Sequence, residues 1–74
     1  MPLLQPNTAV NLPAGRDRVT ITSNGGGYLI TFHSQPQATR QGVLPVNNNQ
    51  LVIQLNPQIA STLQNTGNVS FTWV

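Results

Sequence analysis

Two stretches of alternating polar and apolar side chains, separated by a run of glycines, fix the class of fold open to this chain. Arg18-Val19-Thr20-Ile21-Thr22 sets Val19 and Ile21 on one side and Arg18, Thr20 and Thr22 on the other, the period-two pattern of a half-buried strand. Asn24-Gly25-Gly26-Gly27 follows. These residues tolerate positive φ, so the sequence predicts a hairpin turn. The return strand spans residues 28–34, with Tyr28, Ile30 and Phe32 on one face and Leu29, Thr31 and His33 on the other. A phosphate cradle is excluded for the glycines: it needs a strand-to-helix setting and a downstream Lys, and the chain has no Lys.

The same punctuation continues on both sides. Residues 9–12 read as a short first strand ended by Pro13-Ala14-Gly15. Residues 35–41, with Pro36 and several Gln, read as a loop or an edge. Gly42-Val43-Leu44-Pro45-Val46 is a short extended piece, and Asn47-Asn48-Asn49 a second turn. Leu51-Val52-Ile53-Gln54-Leu55 is nearly continuous apolar, which predicts a strand covered on both sides. Asn56 is a good N-cap and Pro57 suits the first helical position. Ile59, Ala60 and Leu63 stand at helical spacing before Gly67, so a short helix is expected near residues 57–65. A last strand over 68–74 sets Val69, Phe71 and Trp73 on one face. The fold class is therefore all-β: a small antiparallel β-sandwich or barrel of 5–7 strands with one short helix. Residues 1–8, held extended by Pro2 and Pro6, form an N-terminal arm, and residues 9–74 a single β-domain.

Composition narrows the chemistry. Only Arg16, Asp17, Arg18 and Arg40 carry a formal charge, in a chain of 74 residues that also lacks Cys and Glu. Polarity comes from amides and hydroxyls. A domain this short is marginally stable alone, and with no disulfide available, oligomerisation or docking is the remaining support. Three Arg against one Asp make a basic pI from scarcity of charge. Phosphate binding needs clustered cations, so no nucleic-acid partner is expected. No apolar run approaches the length of a membrane span, and the first residues lack a secretory signal, so no membrane partner and synthesis in a host cytoplasm are expected.

Catalysis is not expected either. A glycosidase needs two carboxylates, and one is present. A metal or other cofactor is not expected, with one His, one Asp and no Cys. Asp17, His33 and one of Ser23, Ser34, Ser61 or Ser70 could make a triad on paper, yet no nucleophile-elbow motif surrounds those serines. Partner contacts are the better use of the distinctive residues. The candidates are Leu3 and Leu4 of the arm, Arg16 and Arg18 flanking Asp17, Arg40, and Trp73 as an aromatic anchor.

In composition, size and expected architecture the whole chain resembles the small β-rich accessory proteins of tailed bacteriophage virions: capsid decoration or cement proteins and head fibres. The resemblance implies a homo-oligomer, most simply a trimer, on the capsid exterior. There it binds the major coat protein or other virion subunits and staples neighbours together. The alternative is a non-enzymatic glycan- or receptor-binding module of a surface appendage, using the Asn and Gln loops for adaptable hydrogen bonds.

Overall fold

The computed structural model describes residues 2–74; Met1, the first residue of the expected arm, lies outside the described residues. The described residues are all-β, with eight strands: β1 (Leu3–Leu4), β2 (Ala9–Leu12), β3 (Arg18–Ser23), β4 (Gly27–Phe32), β5 (Ala38–Val43), β6 (Asn49–Gln54), β7 (Ser61–Asn65) and β8 (Phe71–Trp73). They form two four-stranded antiparallel sheets, ordered β1-β8-β3-β6 and β2-β7-β4-β5. One cluster of buried side chains draws on both sheets: Leu4, Val19, Ile21, Ile53 and Phe71 from the first, Leu12, Tyr28, Ile30 and Leu63 from the second, and Leu44 from the β5–β6 crossover.

Alternation identifies the faces correctly. Val19 and Ile21 are fully buried, as is Ile30, and Tyr28 is nearly so. The hairpin expected between these strands is not there. β3 pairs with β6 and β8, and β4 with β5 and β7. Residues 24–26 form an arch from one sheet to the other. Two strands that each carry an apolar row can share one face or oppose each other across a core, and here they oppose. Gly25 and Gly26, at φ 94° and 102°, provide the backbone for that crossing. The Gly25 N–H donates to the Pro45 carbonyl and the Leu44 N–H to the Gly26 carbonyl, which ties this arch to the β5–β6 crossover. The hairpin in the chain is instead β4–β5.

The short helix is also absent. Asn56 Oδ1 accepts from the Gln58 N–H at 2.9 Å and the Asn56 carbonyl from Ile59 at 3.0 Å, so the capping chemistry closes a single turn. Ser61, Leu63 and Asn65 then point inward in alternation with Thr62 and Gln64. β7 sits between β2 and β4, where a strand satisfies backbone groups on both neighbours and a helix could not. Of the loop or edge expected over residues 35–41, the structure makes residues 38–43 an edge strand, which places Arg40 opposite Ile30 in β5. One further expectation is corrected. β6 is an edge strand with Val52 49% exposed, and is not covered on both sides.

The expected arm folds onto its own chain. Leu4 pairs with Phe71 and lies in the core, while Leu3 is exposed opposite Thr72. Asn65 accounts for much of this. Its side chain is fully buried; Nδ2 donates to the carbonyls of Leu4 (3.0 Å) and Val69 (2.9 Å), and Oδ1 accepts from the Gly67 N–H (3.0 Å). Every polar group of the carboxamide is used, as burial demands.

Candidate functional site

The sequence candidates divide into a group the structure assembles and others it separates. Leu12 closes β2 in the core, and residues 13–17 cross to the first sheet. Gly15, at φ 111°, donates its N–H to the Pro57 carbonyl at 2.7 Å, pinning this crossover to the one between β6 and β7. Arg16 is thereby held over Trp73, its guanidinium carbon 5.5 Å from the ring centroid, within cation–π range. Trp73 stands opposite buried Ile21, so its ring faces the core side, and the Arg16 guanidinium lies over that ring.

Beyond Trp73 the last strand continues against β3: the Val74 N–H donates to the Thr20 carbonyl and the Thr20 N–H to the Val74 carbonyl, both at 2.9 Å. Arg16, Asp17, Arg18, Thr20 and Val74 line an open groove of about 390 Å³. Arg16 Nε is buried and has no hydrogen-bond partner. A guanidinium is donor-only and cannot lose its proton, so this N–H is an unused donor beside the groove. Two forked cations around one carboxylate suit an oxygen-rich surface of a partner: a carboxylate, a backbone carbonyl or a side-chain amide.

Leu3, Leu4 and Arg40 lie outside this groove. Leu4 serves the chain's own core at 6% exposure, Leu3 projects from the short edge strand β1, and Arg40 belongs to the edge strand of the other sheet. His33 is exposed; its Nε2 is 2.8 Å from Thr62 Oγ1 and its Nδ1 3.2 Å from Gln37 Oε1. Its ring partners are thus a threonine and an amide, in place of the serine and Asp17 of the paper triad. Among the described residues no three His, Cys, Asp or Glu side chains gather as metal ligands, and no helix is long and apolar enough to cross a membrane.

A second surface was not anticipated from the sequence. The four connections β1–β2, β3–β4, β5–β6 and β7–β8 share one end of the molecule, linked by Asn7 N–H to Asn65 O, Gly25 N–H to Pro45 O and Thr66 N–H to Gly27 O. Asn7, Asn47 and Asn48 adopt left-handed φ of 63°, 65° and 57° there, and Val43, Val46 and Val69 are exposed among them. The Asn triplet signalled a turn, but nothing in the sequence put it beside Asn24, whose Oδ1 accepts from the Asn47 N–H at 2.9 Å. Compared with known protein families, curated proteins and solved structures, the chain matches none.

Proposed function

We propose that the chain is a non-catalytic structural subunit of a virus particle, of the decoration or cement kind, which docks on neighbouring coat subunits. The observation that carries this reading is the strand order. With the sheets ordered β1-β8-β3-β6 and β2-β7-β4-β5, every connection except β4–β5 crosses between them. We read this order as a β-sandwich wound as a jelly roll, the architecture of viral capsid domains, of lectins and of cupins. Winding alone assigns no function, so the side chains must choose. Cupin chemistry relies on clustered metal ligands, and this chain has one His, no Glu and no Cys. A nearly uncharged surface of amides and hydroxyls can be buried against a partner without the desolvation cost of ions. The Arg16–Trp73 groove supplies an aromatic and arginine anchor of the type that dominates interfaces.

The lectin reading retains one specific support: the left-handed asparagines and exposed amides at the arch end. One experiment separates the two. Particles from a culture that makes the chain are banded on a density gradient, and the chain is quantified by mass spectrometry alongside the coat protein. A fixed stoichiometry with coat, released by Arg16→Ala with Trp73→Ala, supports decoration. Absence from the particle band, together with a specific hit on a glycan array, overturns it in favour of sugar binding.

A further inference from the structure

We propose that the chain forms a two-fold dimer by antiparallel pairing of β6 with β6 of a second copy, centred on Val52. This goes beyond the assembly reading and does not depend on it: the dimer would form whether or not the chain decorates a particle.

The two sheets end in four edge strands, β1, β6, β2 and β5. A free strand edge is a template for pairing, and proteins blunt it with short strands, charges, proline or bulges. β1 is two residues long, and β2 is four, followed at once by Pro13. β5 carries Arg40 on the core-facing side, opposite Ile30, and Gly42 beside it. That exposed charge would have to be desolvated if β5 were paired, and Gly42 offers no side chain to pack. β6 has none of these guards. Asn49-Gln50-Leu51-Val52-Ile53-Gln54 contains no charge, no Pro and no Gly, and it sits at the edge of its sheet.

The hydrogen-bond phase shows which groups β6 offers. The Leu55 N–H donates to the Asp17 carbonyl at 2.8 Å, one step beyond the Arg18–Gln54 register. In an antiparallel ladder bonded and non-bonded pairs alternate. Ile53, Leu51 and Asn49 therefore bond to β3, and the N–H and C=O groups of Gln50, Val52 and Gln54 point to the open edge.

The occupant is identified by symmetry. Outward from Val52 the sequence reads aliphatic then Gln in both directions: Leu51 and Gln50 one way, Ile53 and Gln54 the other. An isologous two-fold contact requires a surface complementary to itself. About an axis at Val52, Val52 meets its own copy and Gln50 meets Gln54. Each of these pairs is edge-facing on both strands and exchanges two N–H···O bonds. On the outer sheet face, where Val52 is half exposed, valine packs on valine, and the flanking carboxamides can bond to each other with no like charges opposed. On the inner face Leu51, partly exposed at the core's margin, is covered by Ile53 of the second copy. The first sheet then runs continuously through both copies. Because the contact consumes the one unguarded edge, assembly stops at two, in place of the trimer the phage resemblance implies.

Light scattering across a concentration series measures the mass of the full chain and of Val52→Pro. The proline removes an N–H with no partner in the monomer, so an edge strand accommodates it. Reversible dimerisation of the parent, and a monomeric Val52→Pro with native circular dichroism, is the expected result. Should that variant unfold, Val52→Lys tests the same pairing by opposing like charges. Val52→Cys adds a positive readout in a chain free of cysteine: it should oxidise to a covalent dimer, whereas Val43→Cys on the β5 edge should not. A strictly monomeric parent, an open-ended polymer, or a dimer that survives Val52→Lys and cross-links through Val43→Cys would overturn the proposal.

Discussion

The Asn65 carboxamide donates to the Leu4 carbonyl at 3.0 Å, from a side chain with no exposed surface. Through this bond residue 65 fastens the first strand to a sheet it does not belong to: β1 lies in one sheet and β7 in the other. The same amide holds the β7–β8 arch through Val69 and Gly67. It is a small buried polar network with every member satisfied, the condition under which such networks specify a fold.

Asn65→Ala should therefore cost about 2–4 kcal/mol, since it strands buried groups of Leu4, Val69 and Gly67 without partners. Asn65→Asp keeps the acceptor but turns oxygen toward two carbonyls, and should cost at least as much. Urea unfolding measures both. A loss under about 1 kcal/mol would show that the network is not closed in solution.

The arches approach each other too closely for a methyl group. A Cβ on Gly67 would lie 2.7 Å from the Gly27 nitrogen and 2.8 Å from the Gly26 Cα, both backbone atoms that cannot swing aside. Gly67→Ala should lower stability by about 1–3 kcal/mol, the usual range for overpacking. Gly15→Ala meets nothing within 4 Å and suffers only its positive φ, at roughly 1 kcal/mol. Thermal melts should rank Gly67→Ala below Gly15→Ala.

Arg16 and Trp73 are in contact across the molecule's side. A double-mutant cycle with Arg16→Ala and Trp73→Leu should return a coupling of about 0.5–1 kcal/mol. Additive single losses would mean that the arginine leaves the ring in solution, and with it the anchor of the groove.

Acid should do little to the fold. Acid unfolding acts through groups whose proton binding differs between folded and unfolded chains. The chain has one Asp, one His, no Glu and no Cys, so few side chains can couple the fold to pH. Melting temperatures between about pH 3 and 8 should stay within about 10 °C; a wider swing would require a titrating group in an assembly contact.

How far the sequence could be read follows from what alternation encodes. The pattern at Val19, Ile21, Tyr28 and Ile30 fixes which side of each strand meets the core, and those residues are buried as it implies. It does not encode which strand lies alongside. A glycine run between two such strands permits a hairpin or an arch, and the choice rests on contacts with Pro45 and Leu44, some twenty residues away. Asn56 and Pro57 carry a true turn signal, but a signal that opens a helix also closes a lone turn, and pairing of 61–65 with both neighbours decides between them. At the candidate site, Arg16, Arg18 and Trp73 stand out because charges and aromatics are scarce here; that Arg16 meets the ring at residue 73 is a product of the fold. Asn65 carried no mark among nine asparagines, since burial is a tertiary property.

The winding carries the functional reading, so its pairings are the most direct test. Thr20 and Val52 face each other in the register of β3 with β6, at a non-hydrogen-bonded pair where Cα atoms come within about 4.5 Å. Proton NMR should show an Hα–Hα contact between Thr20 and Val52, and another between Thr22 and Gln50. Hα–Hα contacts joining residues 18–23 to residues 27–32 would mean a simple hairpin, and would contradict the observed strand order and the assembly role proposed from it.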